Sequence, residues 1–552
     1  MTKNLFRLSM IFLVLTSFSA KAQNHKQTLT TDKPKLVVGI VVDQMRNDYI
    51  YRYWERFGNG GFKRLAGEGF YFRNAHYNYI PTVTGPGHSS VYTGTTPRIH
   101  GIIENNWYDK KSGRQIYCVE DTSVTPVGTE NKKGRVSPKN QLSSTIGDEL
   151  KLSTSKKSKV FGIALKDRSA VLPAGHAANA AFFLDSKTGA FVTSSWYVPE
   201  LPKWMQDFNA KTSSKLYIPN EWKTYYPIET YSNSLADDNA YETVLNSDTK
   251  KPTFPYDLKK ALEQNKFGDI FMYTPYGNTI TKDAAIACLI NEGLGKDKEP
   301  DLLAISFSAP DAVGHAFGPR SIEVEDIYIQ LDKDIEHLLN TLDKEVGKNK
   351  YVVFLTADHG AADVPNHLID NKIPAGYIYG DQIAGEIKSH FKTTYGDSIL
   401  LAEVTSEQVF LNEARIAELK LDKDAVEQRL CNFLVGIKGV MEAYPSVVLK
   451  NGAFKGNDLK ALLQNGYNHK LSGNVCFVYN PAWMDHSNKG TTHGAGHNYD
   501  THVPVLFYGA GIKKGESFRY VTITQIAPTV CELLKINQPN STIDEPLNSY
   551  FK

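Results

Sequence analysis

Cysteine is scarce in this chain, with five in 552 residues, at Cys118, Cys288, Cys431, Cys476 and Cys531, and none closely paired. That spacing excludes a thiolate metal site and a disulfide-stapled scaffold, and a chain of this length buries enough core without staples; it leaves room for one disulfide without naming it. Long apolar runs are also lacking. Beyond residue 22 nothing approaches the ~20 residues needed to cross a bilayer, so no membrane anchor is expected. Charge of one sign is missing too: 62 Lys and Arg face 60 Asp and Glu, a formal net charge of +2. Such a balance argues against nucleic acid or an anionic membrane as a partner held by bulk charge. No repeat or low-complexity tract stands out.

What is present begins with Lys3 and Arg7 ahead of the apolar run Leu8 to Phe18, then Ser19-Ala20-Lys21-Ala22. Residues 1 to 22 therefore read as a secretory signal cleaved near Ala22, and a periplasmic or secreted location follows. Cleavage removes Lys3, Arg7 and Lys21 and no acid, leaving a formal charge of about −1. No cysteine follows the cleavage point closely, so a lipid anchor is not expected. Residues 23 to 34 read as a polar lead-in.

With 41% apolar and 22% charged residues, the rest reads as folded protein. Leu36 to Val42 is a continuous β-branched run of the kind buried on both faces of a parallel sheet, and it ends on Asp43. Val160 to Leu165 ends on Lys166, Leu302 to Phe307 leads to Asp311, and Tyr351 to Thr356 leads to Asp358. Each apolar strand thus delivers a polar residue at its carboxyl end, where open α/β sheets place their ligands. Helical stretches over Phe62 to Gly67, Gln141 to Leu152 and Ile322 to Leu342 separate them, which predicts one α/β domain with a sheet covered on both faces. Val503 to Gly509 reads as a further strand and Thr522 to Leu534 as a closing helix. The stretches near 185–300 and 365–485 supply no strand-end carboxylate and read as insertions or a cap.

Thr84 lies in Pro81-Thr82-Val83-Thr84-Gly85-Pro86-Gly87-His88, where a strand is expected to break into a helix with proline in its first turn. The flanking glycines allow close approach, and free amides at a helix start favour an anion. Taken alone, the run reads as a helix cap rather than a nucleophile. The other clusters change that balance. Asp43, Asp311 with His315, Asp358 with His359, and His493 supply carboxylate and imidazole, a mixture suited to zinc, whereas an oxygen-only set would suit magnesium or calcium. Asp311 and His315, four apart, share one face of a helix; Asp358 and His359, adjacent, converge only where the chain turns, which Gly360 permits.

These segments, together with Thr93-Gly94, His100-Gly101 and Asp500…Val503-Pro504, resemble the alkaline phosphatase superfamily from residue 36 to about 510. Within it the chain is most similar to the PafA-type phosphate-monoester branch, and next to the nucleotide pyrophosphatase/phosphodiesterases. The resemblance implies an alkaline-phosphatase-like αβα sandwich with a largely parallel central sheet and cap insertions, occupying residues 35–552. It implies two zinc ions, one held by Asp43, Thr84, Asp358 and His359, the other by Asp311, His315 and His493, with His497, His486 and His502 as competitors for the last place. It also implies a phosphothreonine intermediate on Thr84, the nucleophile, with small-molecule phosphate monoesters as partners and inorganic phosphate as product.

Charge counting sharpens the substrate. Two zinc ions would balance Asp43, Asp311, Asp358 and a Thr84 alkoxide, so a phosphate dianion needs further positive charge. In extended chain Lys166 and Arg168, two apart, project the same way and supply it. The resemblance assigns them, with Asn105 or Asn106, to the transferred phosphoryl group. A diesterase, binding a monoanion, lacks this pair. A sulfatase would need a modified Cys or Ser in the place of Thr84, and cofactor-independent phosphoglycerate mutases use serine. An exported glycan-binding protein would leave the Asp and His set unexplained.

Overall fold

The computed structural model describes residues 33–551 apart from 213–217, 246–250 and 265; the signal segment and most of the polar lead-in fall outside the described residues. Its framework is an eleven-stranded sheet. The longer strands are β1 (Leu36–Val42), β2 (Phe70–His76), β3 (Val160–Ala164), β4 (Ala180–Asp185), β5 (Ala190–Ser194), β6 (Asp301–Phe307), β7 (Tyr351–Thr356) and β8 (His502–Gly509). In space they run β2, β8, β7, β1, β6, β3, β4, β5, with short strands at the margins.

β1 is fully buried and pairs in parallel with β6 on one side and β7 on the other, Leu36 opposite both Asp301 and Tyr351. β6 pairs in parallel with β3, and β3 with β4. Strands buried on both faces need side chains apolar throughout, which is why these runs do not alternate. The flanks differ: β8 runs antiparallel to both β7 and β2, so the sheet is mixed, parallel at its centre.

Helices α1 (Thr84–Thr93), α2 (Asp167–Ala174), α3 (Tyr276–Asn291), α4 (Ala309–Phe317) and α5 (Ile322–Leu342) are placed around this sheet. α5 buries Ile327, Leu331, Ile335, Leu338 and Leu342, an i, i+4, i+8 stripe, in the main core. Within residues 185–300, β5 joins the main sheet and α3 packs Ile280, Ala284 and Cys288 into the same core. A second core, including Ile383, Phe391, Leu411, Leu430 and Phe477, is built by helices around a four-stranded sheet of Leu401–Thr405, Gln408–Leu411, Val440–Pro445 and Val475–Tyr479.

Three local expectations are corrected. The helix expected from Gln141 starts at Ile146, because Thr145 and Asp148 close a capping box that fixes its first turn. Likewise the closing helix begins at Ile526, after a 3₁₀ turn at Ile523–Gln525. β2 ends at His76 and non-strand residues 77–83 carry the chain to α1, so no strand breaks directly into that helix; all five cysteines are free and buried. Among the described residues no helix is long and apolar enough to cross a membrane.

Candidate active site

The four adjacent parallel strands β7, β1, β6 and β3 end side by side, and the chain beyond them carries Asp358, Asp43, Asp311 and Lys166 in that order. Asp43 is held by its amide, which donates to Phe307 O at 3.0 Å. Asp311 lies in the first turn of α4, one turn before His315, and its Oδ1 is 3.2 Å from His315 Nε2. After β7 the chain bends at Asp358. Gly360 serves this bend by close approach: a Cβ there would lie 2.1 Å from Tyr499 O.

Three histidines are aimed by the backbone. Nδ1 of His315 bonds Thr491 O at 2.7 Å, that of His359 bonds Gly360 O at 3.0 Å, and that of His493 bonds Thr82 O at 2.8 Å. A carbonyl accepts only, so each Nδ1 carries the proton and each Nε2 presents a lone pair, the arrangement that orients metal-ligating imidazoles. All three Nε2 atoms face carboxylates: His359 Nε2 is 3.5 Å from Asp43 Oδ1 and 3.5 Å from Asp358 Oδ2, and His493 Nε2 is 3.5 Å from Asp311 Oδ1. Asp311, His315 and His493 bring ligand atoms within 4.8 Å of one another, as do Asp43, Asp311 and His359. Asp311 therefore stands between the two groups.

Asp43 Oδ1, Asp358 Oδ2 and His359 Nε2 are buried without a hydrogen-bond partner. Three such atoms in one cluster are costly unless a cation satisfies them, and carboxylate with imidazole is a donor set that fits zinc. Electrostatics agree. Burial and the neighbouring Asp311 raise the Asp43 carboxyl, and burial and Asp43 raise that of Asp358 well above its usual range. Burial opposes ionisation of Asp311 as well, yet His315, whenever its ring carries a second proton, and Lys166 hold it well below the usual carboxylate range.

The basic pair reaches the site by a different geometry from the extended chain expected. Lys166 is the residue just before α2 and Arg168 lies inside its first turn. The Lys166 ammonium bridges Asp43 Oδ2 at 2.7 Å and Asp311 Oδ2 at 2.6 Å, so its charge is shared with these acids. Arg168 Nη2 lies 3.4 Å from Thr84 Oγ1, and Nη1 lies 3.3 Å from Tyr117 OH. Thr84 itself is 1% exposed, at the first residue of α1. The Gly85 amide, expected to be free for an anion, instead donates to Asn105 Oδ1 at 2.8 Å. That bond leaves the Asn105 amide nitrogen as a donor, while Asn106 is exposed at a strand start.

Two of the competing histidines are engaged elsewhere, while His486 neighbours His315. His497 Nε2 bonds Tyr479 O, His502 Nε2 bonds Arg73 O, and the His486 ring lies 5.9 Å from the His315 ring. His88 has both nitrogens engaged, with Thr84 O and Ser306 Oγ, each at 2.9 Å.

A family model described as type I phosphodiesterase / nucleotide pyrophosphatase matches residues 37–500. The alkaline phosphatase PafA of Elizabethkingia meningoseptica is 42% identical over 95% of both chains. A Myroides odoratus protein named calcium-transporting ATPase is 44% identical over 94% of each chain. The crystal structure of wild-type alkaline phosphatase PafA superposes with a TM-score of 0.91 at 41% identity, covering 94% of this chain and 99% of that one. The chain belongs to the alkaline phosphatase superfamily, on its PafA-like branch. Its αβα framework with a mostly parallel central sheet is that of PafA.

Gln44 is a residue of the site that sequence reasoning missed. Its amide donates to Asp358 Oδ1 at 3.1 Å and its Nε2 to Asp311 Oδ1 at 2.7 Å, tying two strand ends together. It does so at φ 63, a left-handed conformation rare for a residue with a side chain. Adjacency to Asp43 was the signal available. Tyr117 was also invisible: its hydroxyl bonds Asp167 and touches Arg168, and nothing in the surrounding sequence marks it.

Proposed function

We propose that this phosphatase hydrolyses phosphate monoesters through a phosphothreonine on Thr84, outside the cytoplasm, releasing inorganic phosphate for scavenging. The observation that carries the reading is Thr84 Oγ1 beside the Arg168 guanidinium, next to a cluster of buried carboxylate and imidazole atoms that lack partners.

Asp43, Thr84, Asp358 and His359 would hold one zinc ion, and Asp311, His315 and His493 the other. Bound there, the pair would supply Lewis acidity to the phosphoryl oxygens and stabilise negative charge on the attacking and departing oxygens. Thr84 Oγ attacks phosphorus in line as the bond to the departing alcohol oxygen breaks. Water then cleaves the phosphothreonine, returning the Thr84 hydroxyl and releasing inorganic phosphate. Arg168 grips phosphoryl oxygens with its planar fork, and Tyr117 and Asp167 hold that fork in place. Lys166 adds a point charge shared with Asp43 and Asp311. The Asn105 amide nitrogen donates a further hydrogen bond, aimed by the bond from Gly85 to its oxygen. Phosphoryl transfer needs mainly such positioning and charge stabilisation. Residues 35–552 form the catalytic domain in this reading, with insertions near 185–300 and 365–485.

The family description favours diester hydrolysis as a second reading, and Arg168 discriminates the two, because a monoester presents one more negative charge to it. The test compares kcat/KM for p-nitrophenyl phosphate and its bis-ester in wild type and Arg168→Ala. Wild type is expected to prefer the monoester, and the variant to lose at least about tenfold more on the monoester than on the diester, the scale of a charge-assisted hydrogen bond. Diester preference in wild type would favour the second reading, and equal losses would contradict the charge argument.

A further inference from the structure

Beside the candidate metal cluster lies a cavity of about 340 Å³. His315, His493 and Asn105 form its inner side, so an ester held at Thr84 would project its alcohol portion into this space. The outer walls are acidic and aromatic: Glu104, Glu407 and Asp485, with Tyr479, Trp483 and Tyr499. None of the three acids forms an ion pair among the described residues, in contrast to Asp43 and Asp311, which face Lys166.

Two details show that this wall is short of a partner. Glu104 is 5% exposed; its Oε1 accepts from the Asn105 amide at 2.9 Å, and its Oε2 has no hydrogen-bond partner. Burial pushes the Glu104 carboxyl up to about 7 against the opposing pull of the Asn105 amide, Ser406 and Arg168, and burial together with repulsion from Glu104 pushes Glu407 up to about 8. Glu407 is carried by a two-residue hairpin tip, Ser406–Glu407, between strands Leu401–Thr405 and Gln408–Leu411. Ser406 adopts φ 50 there, a conformation such tips usually give to glycine. The smaller sheet thus presents a carboxylate to the cavity.

We propose that this cavity is a leaving-group subsite selective for phosphate monoesters of amino alcohols, with Glu104, Glu407 and Asp485 receiving the ammonium. The proposal rests on the monoesterase reading and adds the class of alcohol. A neutral polyol would offer hydrogen bonds yet leave Glu407, whose charged neighbours are Glu104 and Asp485, without a counter-charge, whereas an ammonium supplies both. The aromatic rings serve as walls; Trp483 is closely packed by Gly376 and Gly439 and has the Lys438 ammonium 5.5 Å from its ring centroid.

The test measures kcat/KM for O-phosphoethanolamine and for propyl phosphate, in wild type and in Glu407→Gln. Taking the ratio within each protein and comparing the two ratios cancels the intrinsic difference between the esters. The ratio is expected to fall about tenfold in the variant, the scale of a lost charge-assisted hydrogen bond; a change under about twofold would overturn the proposal. Calorimetric binding of the same two compounds to Thr84→Ala protein separates this result from the fate of the monoesterase reading. O-phosphoethanolamine is expected to bind at least about tenfold more tightly than propyl phosphate, and to lose that advantage in Thr84→Ala/Glu407→Gln. Equal binding of the two would overturn the subsite even if wild type turned over neither.

Discussion

A single proton decides how His100 contributes to stability. Its Nδ1 accepts from the Ile102 amide at 3.1 Å, so the ring's one proton sits on Nε2, which faces Ser90 Oγ at 2.9 Å. Protonating Nδ1 would set two N–H groups against each other in a fully buried place, and burial pushes the imidazole down to about 3. The unfolded chain takes up that proton near pH 6.5, so the stabilisation is complete above that pH and is lost as pH falls toward 3. Between pH 7 and pH 5 His100 should cost about 2 kcal/mol. Chemical denaturation at both values, in wild type and in His100→Gln, reads this directly. The variant should show a shallower acid decline; an identical decline would remove His100 from the explanation. Some residues of this kind were legible from sequence and some were not. Asp43, Asp311 and Asp358 announced themselves because an apolar strand ends on or near each. Gln44 and Tyr117 act through contacts between segments far apart in the chain, which no local pattern encodes.

At the scale of elements, α1 meets the chain after β7 through a missing side chain. A Cβ on Gly87 would lie 2.4 Å from Asp358 O and 2.7 Å from Asp358 Cβ. Helix propensity alone would make Gly87→Ala stabilising by about 1 kcal/mol. The steric conflict is with backbone that cannot swing away, and overpacking of this kind costs about 1–3 kcal/mol. The variant is therefore expected to be less stable, and to lose activity as Asp358 is displaced; a raised melting temperature with full activity would contradict the packing. The same contact explains what sequence reading could and could not reach. The glycines around Thr84 read as room for a ligand, whereas Gly87 makes room for the protein's own backbone. The central strands were legible because burial on both faces demands unbroken apolar runs. The four-stranded sheet of residues 401–479 was not, since its strands are short, two of them are only part-buried, and helices lie between some of them in the chain.

Across the whole molecule, the sheet's central strands converge on acids and imidazoles whose unsatisfied atoms resist burial without a cation. A cation held there would therefore couple the fold to the site. Removing it with a chelator is expected to abolish turnover and lower the melting temperature, and zinc should restore both. A ligand present at a thousandfold excess over its Kd contributes about 4 kcal/mol, which sets the scale of the shift. Chelated protein with undiminished turnover would contradict a metal-dependent site.

The central claim concerns Thr84, and one measurement reaches it most directly: acid quenching of the zinc-loaded protein during turnover of a radiolabelled phosphate monoester, followed by peptide mapping. The account predicts label on the peptide containing Thr84, at Thr84, and none in Thr84→Ala. Steady turnover with no covalent phosphate, or with label on another residue such as Ser89, would contradict it.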